Sequence, residues 1–267
     1  MKMMKLKALA VAVVGLAAGN VMAACPTAIT KANGGAWDSS VVTTDANNQP
    51  NSTLQITDGG LNGTACKLSA AVLANNLSNS RALVIDSSPT AESRYRARFY
   101  FDISKLTAMT VSNQQAKMFN AVADSAPAGI GTEMLSVKLK GGASKTLIIS
   151  ISDASQPGPS FATLINNISL PPSANGVYRL EIDLQKGNGV TPANNFRYWL
   201  TDASTAASDN APTGTATVNN SGWSGVDTMN LGLFGLSPNY RATVATVAGQ
   251  VLDLDELDSR RSTFINL

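Results

Sequence analysis

The chain contains no histidine. That one absence excludes Ser-His-Asp and Cys-His catalysis, histidine-ligated zinc and histidine pH sensing. Cysteine is almost absent too, with only Cys25 and Cys66. Charged residues make up 14% and aromatics 6% of the chain, so a large electrostatic footprint is missing. Beyond the N-terminal stretch no segment is long and apolar enough for a membrane helix. No repeat of fixed period is visible, which argues against a propeller or solenoid.

The N-terminal stretch reads as a removable export signal. Lys2, Lys5 and Lys7 form a basic region, residues 8–18 form a short apolar run with Val11, Val13, Val14 and Leu16, and Val21-Met22-Ala23 fits a small-residue cleavage site. Residues 1–23 are therefore read as a bacterial-type signal peptide and residues 24–267 as a single β-domain. Taking the three signal lysines from the 20 Lys+Arg leaves 17 against 18 Asp+Glu, so the mature chain is near neutral. Nothing in that balance points to nucleic acid or an anionic membrane. In an exported chain an even cysteine count predicts a Cys25–Cys66 disulfide. The competing reading is a lipobox, Met22-Ala23-Ala24-Cys25, with Cys25 acylated; Met22 in place of leucine, Pro26 directly after the cysteine and an orphaned Cys66 weigh against it. The final compartment is periplasmic or extracellular.

What the chain does have is alternation. Residues 94–102, Arg-Tyr-Arg-Ala-Arg-Phe-Tyr-Phe-Asp, place Tyr95, Ala97, Phe99 and Phe101 on one face and Arg94, Arg96, Arg98 and Tyr100 on the other. The spacing predicts further strands over 41–44, 53–57, 66–72, 81–86, 115–122, 134–140, 146–152, 168–170, 178–185, 196–201, 229–236 and 250–257, with 134–152 the clearest hairpin about Gly141-Gly142. Residues 203–220 read as a long Ala/Ser/Thr/Asn-rich surface loop. Turn signals recur throughout and no amphipathic helix is convincing, so the fold class is all-β, an antiparallel two-sheet sandwich.

Residues 89–102, from Pro89 to Asp102, resemble the early strand of bacterial laminin G-like, concanavalin A-like jelly-roll domains. Residues 251–261, Val-Leu-Asp-Leu-Asp-Glu-Leu-Asp-Ser-Arg-Arg, resemble their closing strand. The hairpin, the Tyr178 strand and the Gly232-Leu233-Phe234-Gly235 strand fall in the matching order, and the resemblance spans roughly residues 55–265. It implies a jelly-roll sandwich with a ligand on the concave face or in the loops at one rim. The superfamily holds lectins, adhesion modules and glycan-degrading enzymes, so the resemblance names no function.

Three groups of residues offer chemistry. Glu181-Ile182-Asp183-Leu184-Gln185 resembles the Glu-x-Asp-x-Glu strand of retaining glucanases, but Gln185 stands where the third carboxylate belongs and cannot protonate a leaving group. Glu181 and Asp183 are thus weak catalytic candidates beside the reading of an ordinary polar strand face. The acidic run Asp253, Asp255, Glu256 and Asp258 lacks Ca²⁺-loop order, so no cofactor is expected, with Ca²⁺ the single candidate ion. Asp253 and Asp255 are instead expected to face Arg94, Arg96 and Arg98 across paired first and last strands, as a structural seam. Trp223 between glycines, Trp37 and Tyr240 sit in turns and are the candidate sugar-stacking rings, against a reading in which they cap the core; Trp199, in mid-strand, is expected to pack.

The expected function is lectin-like binding of a glycan or cell-surface polymer by rim loops. A glycan hydrolase or lyase is the alternative, and a structural or adhesive envelope protein is the second alternative.

Overall fold

The computed structural model describes residues 25–45, 47–73, 80–128, 131–156, 162–188, 191–247, 249–260 and 265. The signal-peptide reading of residues 1–23 lies outside them. The first strands in chain order are β1 (Ser39–Val42), β2 (Ser52–Asp58), β3 (Cys66–Val72), β4 (Ala82–Asp86), β5 (Arg94–Asp102), β6 (Gln115–Val122) and β7 (Glu133–Lys140). Then come β8 (Thr146–Ser152), β9 (Ala162–Ser169), β10 (Val177–Gln185), β11 (Phe196–Asp202), β12 (Gly214–Ala216), β13 (Thr228–Phe234) and β14 (Gln250–Arg260). They build two seven-stranded sheets, ordered β1-β4-β13-β6-β7-β8-β9 and β12-β11-β10-β5-β14-β3-β2, with every pairing antiparallel.

Period-2 alternation decides which face of each strand is buried, because burying every second side chain satisfies the backbone in the ladder and removes apolar surface from water together. The inner face of the second sheet carries Tyr95, Ala97, Phe99 and Phe101 of β5, Leu180, Ile182 and Leu184 of β10, and Leu252 and Leu254 of β14. Against it pack Met118 and Phe119 of β6, Leu135 and Val137 of β7, and Leu231 and Leu233 of β13. Phe99 and Phe119 stack across the layers with ring centroids 5.6 Å apart. At Gly232 a Cβ would lie 2.1 Å from the Ala82 carbonyl oxygen, so only glycine lets β13 lie this close to β4.

The predicted hairpin is present, with Leu135 opposite Ile151 and Lys140 opposite Thr146. Three expectations are corrected. Residues 203–220 are not all loop, since Gly214–Ala216 adds an edge strand to β11. The strand expected at 168–170 begins at Ala162; its polar Asn166 and Asn167, the latter at φ 55°, hide the alternation. The turn assigned to Tyr240 is a helix, α1 (Pro238–Val244), started by Ser237 as N-cap accepting from the Tyr240 N–H and by Pro238 in the first turn.

Cys25 and Cys66 form a disulfide, with Cα atoms 5.6 Å apart. The bond ties residue 25 to β3 of the second sheet. At the other end of that segment the Asp38 N–H donates to the Ile85 carbonyl at 3.1 Å, on β4 of the first sheet. Residues 25–38 therefore strap the two sheets together. With both sulfurs in the bond, the lipid-anchor reading has no thiol to use, and the bond fits an oxidising, exported setting. Among the described residues no helix is long and apolar enough to cross a membrane.

Candidate functional site

The outer face of the second sheet carries a cluster of charge. Antiparallel register sets Asp183 opposite Arg96 on one side and Arg197 on the other. Arg94 donates to both Asp183 oxygens at 2.9 Å, Arg96 Nη2 lies 3.0 Å away and Arg197 Nη2 2.6 Å away. Asp209 joins from the loop after β11, 3.2 Å from Arg96 and 3.4 Å from Arg197. Burial pushes the Asp183 carboxyl up, but hydrogen bonds from Arg94 and Arg197 and the Arg96 charge outweigh it and hold it below the ordinary value. Trp199 lies buried beneath Arg96 and Arg197, whose guanidinium carbons are 5.9 and 5.1 Å from its ring centroid. Trp199 packs as expected.

The partners foreseen for the arginines are wrong in one respect. β14 does pair with β5, but the register sets Asp253 opposite Asp102 and Asp255 opposite Tyr100, before a bulge at Glu256. Asp253 instead meets Lys67 at 3.0 Å and Lys105 at 2.8 Å, while Asp255 accepts from the Leu61 N–H and the Thr64 hydroxyl. Arg98 of the stripe reaches the last strand, 3.7 Å from Glu256. The arginines face β10. Asp253 sits below its ordinary pKa, because Lys105, Ser69 and Lys67 outweigh the upward push of burial; at Asp255 burial prevails and the pKa is raised. Among the described residues no group of three or more His, Cys, Asp or Glu side chains is placed to hold a metal ion.

The catalytic candidates lie on this same face, fully covered. Glu181 is 0% exposed and accepts the Ile265 N–H at 2.9 Å, and Asp183 is the hub just described. The ring candidates fare similarly. Trp223 and Tyr240 are buried to 1% and 0% exposure, and the Trp223 indole donates to the Gly131 carbonyl at 3.1 Å. A stacking platform needs a free ring face, and neither ring has one. Trp37 is half-buried, packed against the core beside two small cavities of about 190 and 250 Å³.

A wider opening than these lies elsewhere, on the outer face of the first sheet. A groove of about 550 Å³ crosses β1, β4, β13 and β6 and runs to α1. Leu83, Ile85, Phe234 and Leu236 give it an apolar floor, Asn120 and Asn230 supply amides, and Arg81, Lys117 and Arg241 supply three cations, with no carboxylate in the lining among the described residues. Asn230 donates to Asn120 at 2.7 Å, Asn120 donates to Glu133 at 2.8 Å, and Lys117 donates to the same Glu133 oxygen at 2.5 Å. Burial raises the Glu133 pKa, but the Lys117 charge and the hydrogen bonds of Lys117, Asn120 and Ser136 bring it below the ordinary value. Nearby Lys138 is held low by burial and by Lys117. The groove thus presents an apolar base with oriented amides and a positive rim.

No family model and no curated protein matches the sequence. Solved structures do resemble the fold. The endo-β-1,4-glucuronan lyase from the fungus Trichoderma reesei superposes with a TM-score of 0.55 at 12% identity, over 85% of this chain and 91% of that one. The catalytic domain of a GH131 β-glucanase from Podospora anserina gives a TM-score of 0.51 at 10% identity, over 88% and 89%. The fold is a jelly roll. At these identities the likeness carries the architecture alone.

Sequence reasoning missed the jelly roll's groove. Arg81, Lys117, Asn120, Asn230 and Arg241 come from four distant stretches, and each looks like an ordinary polar residue on a wet strand or helix face. The one local signal was Lys117 and Asn120 interrupting the otherwise apolar residues 116–122 of β6.

Proposed function

We propose that the protein is an exported, non-catalytic binding protein for an acidic polysaccharide, and that the ligand lies in the groove of the first sheet rather than in rim loops. The observation that carries this reading is the lining: Arg81 and Arg241, with Lys117 paired to Glu133 at the margin, two amides and an apolar floor, and no carboxylate among the described lining residues. Guanidinium forks take carboxylates bidentately, amides take hydroxyls, and apolar side chains take the faces of sugar rings. The two jelly rolls cited above are named for action on glucuronan and β-glucan, which supports a glycan as the ligand class. Hydrolysis by the Glu181–Asp183 pair has no such support, because a working pair needs both carboxyl groups free in a groove, and these two are buried and engaged.

The test is affinity electrophoresis and calorimetry with a soluble β-1,4-linked polyglucuronate and a neutral β-glucan. The polyanion is expected to bind more tightly, with affinity falling as salt rises. The double variant Arg81→Ala/Arg241→Ala, which removes two charge-assisted contacts, is expected to weaken binding at least about tenfold. Equal affinity for the two polymers, or an unchanged double variant, refutes the reading. Binding to neither polymer favours a structural envelope role.

A further inference from the structure

We infer that the molecule has a second ligand site, on the opposite face of the sandwich, which takes the carboxylate of a single sugar acid. A polar pocket of about 360 Å³ opens at the end of the second sheet's outer face, lined by Arg94, Arg197, Asp183, Gln185, Asn194 and Thr215 among others. Its volume falls within the range of small-molecule sites.

Charge is the first argument. Three guanidinium groups converge on Asp183, and two of them, Arg94 and Arg197, stay part-exposed and line the pocket. An anion entering the pocket meets both. The donor geometry is the second argument. Arg94 commits Nε and Nη2 to Asp183, and its Nη1 makes no hydrogen bond among the described residues. Arg197 has only a long 3.5 Å contact from Nη1 to the Asp209 carbonyl. Two pocket-lining guanidinium groups therefore keep donor capacity, and both are rigid because Asp183 and the ring of Trp199 hold them in place. The neutral part of the lining is the third. Gln185 and Asn194 are exposed side-chain amides and Thr215 an exposed hydroxyl, partners for sugar hydroxyls and poor ones for a bare inorganic anion. Asn194 is held at φ 52°, a left-handed conformation, at this pocket.

With a groove on one face and this pocket on the other, one molecule would bridge two acidic polymer chains, although the pocket stands whether or not the groove binds glycan. The deciding experiment uses sodium D-glucuronate as the probe, followed by NMR titration in the Arg81→Ala/Arg241→Ala background, with methyl glucoside as the neutral control. Millimolar binding of glucuronate is expected there, with little binding of the glucoside. Adding Arg94→Gln, which leaves Asp183 with two arginines but removes a pocket-lining guanidinium, is expected to weaken glucuronate at least about tenfold. Adding Gln185→Ala alone, a change at an exposed residue, is expected to weaken it about three- to tenfold with an unchanged melting temperature; this variant decides the matter if Arg94→Gln does not fold. Absence of glucuronate binding at about 20 mM in the groove-deficient protein overturns the inference, as does unchanged affinity in the folded pocket variants.

Discussion

Replacing Asp183 by asparagine keeps the shape of the hub and deletes its charge. Its side chain is 4% exposed, and it is the shared acceptor for Arg94, Arg96 and Arg197. Arg94 and Arg197 are 32% and 23% exposed and can recover some hydration, but Arg96, at 1%, cannot. Breaking a buried pair typically costs about 3–5 kcal/mol, mostly by leaving the other charge uncompensated. Asparagine still accepts hydrogen bonds and Asp209 still reaches Arg96, so the lower end, about 3 kcal/mol, is expected at pH 7. For a domain of this size that is a fall of about 6–12 °C in melting temperature. Because the folded pKa of Asp183 lies below its ordinary value of 3.8, its contribution is complete well above that value and is lost as pH falls through the folded pKa. The gap between Asp183→Asn and the wild type is therefore expected to be constant from about pH 7 to pH 5 and to shrink below about pH 4. Urea unfolding followed by tryptophan fluorescence at a series of pH values measures it. A loss under about 1 kcal/mol at pH 7, or a gap that widens on acidification, refutes the view of Asp183 as the electrostatic hub.

Two other perturbations are simpler. Converting Cys25 and Cys66 to serine opens a loop with sequence separation 41 and is expected to cost about 4 kcal/mol on the chain-entropy model; intact mass should rise by about 2 Da on reduction of the wild type, and a lipid increment there would contradict the bond. Tyr240→Phe should leave stability unchanged or raise it by up to about 2 kcal/mol, since the Tyr240 hydroxyl is buried with no hydrogen-bond partner among the described residues, and a clear loss in thermal unfolding would mean that the oxygen does have one.

Strand positions were legible because alternation is a local property. β3, β5, β6 and β8 fall where the pattern places them, and the inward faces of β5 and β10 are the apolar ones. The helix at 238–244 was missed although its Ser237-Pro238 start was in view, because seven residues are too few to display a 3.6-residue period against two turns of noise. For Trp223 and Tyr240 the sequence left two readings, a stacking ring and a cap on the core, and only the arrival of distant chain shows that the rings are covered. The arginine stripe was recognised and given the wrong partners. Alternation says that Arg94, Arg96 and Arg98 share a face, but β5 has two neighbours, and acids on β10 and β14 were equally available to it.

Composition and local pattern alone therefore determined the β class, the two-faced strands and the exclusion of histidine chemistry, and favoured the pairing of Cys25 with Cys66 over its acylation. The tertiary structure decided which acids meet which arginines, that the Glu181–Asp183 pair is covered, and that Arg81, Lys117, Asn120, Asn230 and Arg241 line one groove. The division follows from the physics of the sheet: side-chain direction repeats every two residues along one strand, whereas register and neighbour are set by contacts between separate segments, 89 residues apart for Arg94 and Asp183.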